Sequence, residues 1–182
     1  MFIHSMVFII YVLKGLNKKV LKANVYMINN MIIIIPLGGT GTRFKDMEYK
    51  QPKALINVFG KPILFWLIES LRIKTNTTIY IPYNKEYEKY RFEDMIKKAF
   101  PLLTFKFLLL EYDTRGAAET LNISLKKLEL EDQPIISLDS DNFYTTDIIN
   151  LWDQNKNSIF VFNDTNVQPA YSYILINERK EV

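Results

Sequence analysis

The 182-residue sequence contains no cysteine, which excludes disulfides, thiolate nucleophiles and thiolate-bound zinc. It contains one histidine, His4, so a histidine general base and a mixed Cys/His metal centre drop out as well. No apolar run is long enough to span a bilayer. Residues 6–13 are apolar but far short of the roughly 20 residues a membrane helix needs. They also lack the basic stretch before and the small-residue site after that would mark a signal peptide. No dense Lys/Arg stripe is present: 23 basic and 20 acidic residues alternate in sign for a net charge of +3, unlike a nucleic-acid binder. Aromatic residues make up 14% of the chain. They are scattered and read as composition bias without a functional message. Chemistry on this chain is left to carboxylates, lysine, arginine, backbone amides and a hard cation.

What is present is a regular alternation. The 48% hydrophobic and 24% charged content suits one soluble domain with a substantial core. Residues 1–30 read as an N-terminal extension of uncertain role or an upstream translation start outside the main fold, with a docked helix or a membrane-surface contact as the alternative. The regular pattern begins at Met31. Residues 31–35 are a branched apolar run expected of a strand buried on both faces. Further strands are expected over 77–81, 102–110, 134–138, 158–162 and 171–176. Helices are expected over 61–72 with Pro62 in the first turn, 84–100 with Asn84 as cap, 117–128 and 146–152. This rhythm predicts an α/β, Rossmann-like three-layer sandwich with a mainly parallel sheet. Ligands of such sheets sit beyond the carboxyl ends of the strands, so loops 36–44, 111–116 and 139–143 carry the interest.

The first of these loops, Leu37-Gly38-Gly39-Thr40-Gly41-Thr42-Arg43-Phe44, combines glycines that bring backbone amides close to an anion with an arginine fork suited to phosphate oxygens. A P-loop would require Lys-Ser/Thr after its last glycine, where Thr42-Arg43 stand, and a dinucleotide fingerprint would require glycine in place of Phe44. Taken alone, such a loop could equally be a tight turn. It is followed by Gln51-Pro52-Lys53-Ala54-Leu55 and Gly60-Lys61-Pro62-Ile63-Leu64. In that order and spacing the set resembles the N-terminal signature of the sugar-phosphate nucleotidyltransferases, the nucleotide-sugar pyrophosphorylases.

The resemblance implies that the backbone of residues 37–41, with Thr42, holds an NTP, and that Arg43 and Lys53 bind its phosphates and stabilise charge at the α-phosphate. Arg115-Gly116-Ala117-Ala118-Glu119-Thr120 resembles the family's Gly-x-Ala loop at a helix start, which implies a nucleotide contact at Gly116. Its plainer reading is a glycine turn into a helix. Leu138-Asp139-Ser140-Asp141-Asn142 resembles the family's Gly-Asp-Asn segment, with Ser140 where glycine is usual. That implies Asp141 as a Mg²⁺ ligand with Asp139 beside it, and carboxylates are the oxygen ligands this cation takes. Residues 31–182 thus read as a nucleotidyltransferase domain lacking the family's C-terminal part, with its second lysine and second metal ligand.

The activity so implied is transfer of NMP from an NTP to a sugar 1-phosphate or similar small phosphate, with release of pyrophosphate and Mg²⁺ as cofactor. It requires no histidine, because positioning and charge stabilisation supply most of such catalysis. Two other readings stand beside it: a non-catalytic nucleotide-binding or regulatory module, and an Asp-x-Asp glycosyltransferase carried by Asp139-Ser140-Asp141. No nucleic-acid partner and no stable membrane insertion are expected. The expected location is cytoplasmic, and a homo-oligomer is left open.

Overall fold

The computed structural model describes residues 8–10, 31–39, 50–73, 77–130, 134–152 and 157–161. The strands are β1 (Phe8–Ile10), β2 (Ile32–Ile34), β3 (Asn57–Val58), β4 (Lys61–Pro62), β5 (Thr78–Tyr83), β6 (Thr104–Leu109), β7 (Ile135–Ser137) and β8 (Ser158–Phe160). The helices are α1 (Ile63–Ser70), α2 (Phe92–Ala99), α3 (Ala117–Leu128) and α4 (Ile148–Leu151), with single 3₁₀ segments at Lys53–Leu55 and Lys85–Tyr90.

Strand β2 sets the architecture. Its three isoleucines are all buried, as a strand covered on both faces requires. Because successive side chains alternate in direction, Ile33 packs with Leu64, Leu67 and Ile68 of α1 and with Phe92 and Ile96 of α2. Ile32 and Ile34 pack the other way, against Leu121 and Leu125 of α3. Three layers result, as expected from the alternation of elements.

The four-stranded parallel sheet runs in the order β6-β5-β2-β7. The chain steps from β2 through β5 to the β6 edge and then returns past its start to place β7 on the far side of β2. Crossovers of one hand put their helices on opposite faces when the direction of travel reverses. That is why α1 and α2 share a face and α3 takes the other. The reversal between β2 and β7 opens the crevice in which ligands of such sheets bind.

Several elements differ from expectation for identifiable reasons. The helix expected to open at Lys61-Pro62 begins at Ile63, since Lys61 and Pro62 pair with Val58 and Asn57 in a two-residue hairpin. Pro62 is therefore the extended N-cap, at φ −55° and ψ 144°. The hairpin is fastened to α1 by Trp66 Nε1, which donates to the Val58 carbonyl at 2.8 Å. Lys61 Nζ sits 3.6 Å over the Trp66 ring and pairs with Glu69.

The single helix expected over 84–100 is broken at Arg91, which is left-handed at φ 50°. In one continuous helix Tyr87 and Phe92 would point about 140° apart. The break lets both rings lie against Tyr83, at 6.3 and 5.2 Å. The aromatic residues dismissed as composition bias thus include a packed core cluster, with Phe107 5.9 Å from Phe92. Phe8–Ile10, inside the N-terminal segment, are extended and pair antiparallel with β8. The strand expected over 171–176 lies outside the described residues. No helix among the described residues is long and apolar enough to cross a membrane.

The β3–β4 turn places Phe59 at φ 48° and Gly60 at φ 89°, and the Phe59 side chain is 94% exposed. A bulky residue gains nothing there to offset a left-handed backbone, whereas Asn-Gly is the favoured pair for such a turn. Phe59→Asn is expected to stabilise the protein by roughly 0.5–1 kcal/mol in chemical denaturation. An unchanged or lower midpoint would mean that Phe59 is held by a contact.

Candidate functional site

The ladder of the sheet runs on into the loop after β2. Ile35 donates to the Tyr80 carbonyl at 2.9 Å and Leu37 to the Pro82 carbonyl at 2.8 Å, while the Leu37 carbonyl accepts from Asn84 N–H at 3.3 Å. Leu37 is buried and both its backbone groups serve the fold, so its part is to aim the glycines that follow. Gly38 is pressed against the start of α3. A Cβ on it would lie 2.6 Å from Thr114 Oγ1 and 2.7 Å from Leu110 Cδ1, and would collide with Thr120 Oγ1. Its carbonyl accepts from Thr114 N–H at 3.0 Å. Gly39, one step on, emerges into open space with nothing within 4 Å of the corresponding Cβ position. Its carbonyl accepts from Asn84 Nδ2 at 3.1 Å. Thr40, Gly41, Thr42 and Arg43 lie outside the described residues.

The second loop closes on the first. The hydroxyls of Thr114 and Thr120 are 2.6 Å apart. The Gly116 carbonyl faces both hydroxyls, at 3.4 and 3.2 Å, and accepts from Thr120 N–H at 3.1 Å. Gly116 is the N-cap of α3 in an extended conformation, with open space where a side chain would stand. Gly38 and Gly116 are thus brought to the same threonine pair, through which the two glycine loops share a wall.

The third loop, after β7, carries Asp139 and Asp141. Leu138 N–H extends the ladder to the Ile34 carbonyl at 2.9 Å. Tyr144 N–H donates to Ser70 Oγ at 3.1 Å, and that hydroxyl donates to the Leu67 carbonyl at 2.7 Å. The loop is therefore tied to the end of α1. Lys53, at the start of its 3₁₀ turn, forms an ion pair with Asp141 across this gap, with side chains 32% and 31% exposed. Partial burial makes the pair less screened than a surface bridge. Asp139 stands beside it at the solvent edge. Crowding by protein atoms, then the negative charge of Asp141, raise its carboxyl above the ordinary range, and Lys53 acts in the opposite sense. Burial and then the two carboxylates hold the phenol of Tyr144 well above its usual value, so that it stays protonated.

These residues can gather negative charge and then neutralise it. Two carboxylates on one loop are a donor set suited to a hard cation that completes its shell with phosphate oxygens and water. No group of three or more His, Cys, Asp or Glu that could hold a metal occurs among the described residues, and a phosphate-bridging Mg²⁺ does not require one. Four contributors carry no distinct signal in the sequence: Asn84 reads only as a cap, Thr114 as an ordinary loop residue, Thr120 as the end of the helix-start motif, and Tyr144 not at all.

Neighbouring glycines separate stability from site geometry. Gly38→Ala is expected to lower stability by about 1–3 kcal/mol through overpacking against the threonine pair. Gly39→Ala should leave the melting temperature within about 1 °C, since it meets no atom. Equal losses in thermal melts of the two variants would refute that distinction. A carboxyl that binds its proton more tightly in the fold than in the unfolded chain costs stability as pH rises above about 4, where only the unfolded form ionises freely. Asp139→Asn should therefore raise the melting temperature at pH 7, with the gain shrinking toward zero near pH 3. A gain that persists unchanged at low pH would assign the effect to something other than charge.

Residues 32–182 match the family model described as nucleotidyl transferase. The fold is similar to that of a nucleoside-diphosphate-sugar pyrophosphorylase from Vibrio cholerae RC9, with TM-score 0.53 and 24% identity over 68% of this chain and 54% of that one. It is similar to a protein described as glucose-1-phosphate thymidylyltransferase from Bacillus anthracis, solved with sucrose, with TM-score 0.55 and 21% identity over 66% and 48%. HddC from Yersinia pseudotuberculosis gives TM-score 0.51 and 20% identity over 68% and 52%. At these identities the likeness is one of fold, and the chain spans about half the length of the structures it matches. The family model covers most of the sequence, including the glycine loop, Lys53, Gly116 and Asp141. The chain belongs to the nucleotidyl transferase family.

Proposed function

We propose that this protein transfers the NMP group of an NTP to a small phosphorylated acceptor, of which a sugar 1-phosphate is the leading class. The observation that carries this reading is the ion pair between Lys53 and Asp141, which joins the 3₁₀ turn at Lys53–Leu55 to the loop at the carboxyl end of β7. It lies in the crevice where the strand order reverses. Lysine and paired carboxylates there match a reaction that moves charge between phosphates and needs no histidine.

In the proposed reaction an acceptor phosphate oxygen attacks the α-phosphorus of the NTP in line. The new P–O bond forms as the bond to the β-phosphate breaks, and pyrophosphate leaves with its charge. The nucleophile is already an anion, so no side chain has to remove a proton. The backbone around Gly39 and Gly116 would seat the nucleotide in the open space that their missing side chains leave. Lys53 and Arg43 would neutralise charge at the α-phosphate and on the departing pyrophosphate. Asp141, with Asp139 beside it, would hold Mg²⁺, which when bound supplies charge neutralisation and alignment of phosphate oxygens. Tyr144, kept protonated, supports the carboxylate loop as a neutral neighbour.

The experiment is pyrophosphate release from ATP, CTP, GTP, UTP and dTTP, each with Mg²⁺ and a panel of sugar 1-phosphates and phosphocholine. Turnover with one nucleotide–acceptor pair is expected, falling by at least about a hundredfold in Asp141→Ala and in Lys53→Met. NTP binding without turnover across the panel would instead make the chain a nucleotide-binding module. Absence of both binding and turnover would sink the reading.

A further inference from the structure

We propose that Asn84 is a positioning residue for the nucleotide loop, and that the 3₁₀ segment it caps braces both halves of the site at a fixed separation. The inference rests on the nucleotidyl-transfer reading and goes beyond it, by assigning a role to a segment distant in sequence from every proposed ligand-binding residue.

Asn84 is 2% exposed, and its side chain divides its bonding between two tasks. Oδ1 accepts from Glu86 N–H at 3.0 Å and so caps Lys85–Tyr90. Nδ2 donates to the Gly39 carbonyl at 3.1 Å, across 45 positions of sequence. A cap needs only the oxygen; the amide nitrogen is spent on the loop. Gly39 has no side chain to pack and its Cβ position meets nothing. Asn84 therefore supplies a side-chain anchor at a point where glycine is otherwise free to move.

The far end of the same segment holds the lysine. Tyr87 is 4% exposed within the aromatic cluster and belongs to the same buried core as Ala54, next to Lys53. Tyr90 Oη donates to the Lys50 carbonyl at 3.2 Å. One short turn, wedged into the core by Tyr83, Tyr87 and Phe92, therefore touches the glycine loop at its beginning and the Lys50–Lys53 stretch at its end. A loop that offers backbone groups to a charged ligand acts well only if it is organised before the ligand arrives.

The test uses the full chain with two single-site variants. Asn84→Ser keeps a capping oxygen but is too short to reach Gly39, and Tyr90→Phe removes only the bond to Lys50. Hydrogen exchange without nucleotide is followed in peptides covering residues 36–44, and NTP binding by calorimetry. Asn84→Ser is expected to speed exchange in that peptide and to weaken NTP binding by about tenfold, the scale of one lost hydrogen bond. Tyr90→Phe should leave NTP affinity within about twofold while turnover falls, because it acts through Lys53 and the reacting phosphates. Unchanged exchange in Asn84→Ser, or faster exchange with unchanged NTP affinity, would overturn the assignment of Asn84. A common effect of both variants on the same kinetic parameter would overturn the brace. If exchange accelerates but the wild-type protein binds no NTP, the functional reading fails and the assignment to a nucleotide loop fails with it, while the contact with Gly39 stands.

Discussion

The close approach of Gly38 to Thr114 and Thr120 is the constraint on which the site depends. Strand β2 and helix α3 belong to different crossovers, and their ends meet only because the chain at position 38 has no Cβ. Any side chain there would push the loop after β2 off the start of α3, or push the threonines out of the bonds they share with each other and with the Gly116 carbonyl. The two glycine loops are therefore one unit. Gly38 is spent on packing, and Gly39 and Gly116 keep the open space. Three glycines with the same sequence-level signature thus divide into one that is needed for fit and two that leave room.

Much of this was legible in the chain. The three-layer architecture followed from alternating elements, and α3 runs over Ala117–Leu128 as its apolar spacing indicates. Glycines after the first strand and an acidic pair after a later strand reach the same end of the sheet because parallel strands end together, and the lysine after Pro52 meets them there through its ion pair with Asp141. What could not be read were matters of tertiary override. A continuous helical pattern over 84–100 gave no sign that two aromatic rings five residues apart must face one cluster, which forces the break at Arg91. Pro62 has the right chemistry for a first helical turn, yet a two-residue hairpin claims it first. Asn84 looked like a cap and is one; the second use of its amide depends on a loop 45 residues upstream, which no local pattern encodes. The role of aromatic residues was missed because composition hides clustering.

The acidic loop shows how a site is held in a form that the rest of the fold would not choose. Burial and the nearby charge of Asp141 raise the carboxyl of Asp139, and the phenol of Tyr144 is buried beside them. Lys53 offsets part of that repulsion, and the hydrogen bonds from Tyr144 N–H to Ser70 and from Leu138 N–H to β2 keep the loop from relaxing away. Like charges pinned together by neutral anchors make a favourable place for added positive charge, and lysine is the part of that charge the protein supplies itself.

That arrangement gives Lys53 a meaning beyond its ion pair. An ammonium on a long flexible stem would sample many positions if it were free, whereas here its turn is held from behind by Tyr87 and Tyr90 and its head is drawn forward by Asp141. The fold directs the charge by two independent means, one through the backbone and one through a carboxylate. An incoming phosphate would change the partner of the ammonium without requiring the turn to move. A chain with a single histidine has electrostatics as its main lever. The brace behind Lys53 and the clamp on Gly39 are what turn scattered charges and amides into a preorganised field, so the precision of the site resides in the 3₁₀ segment that touches no proposed substrate.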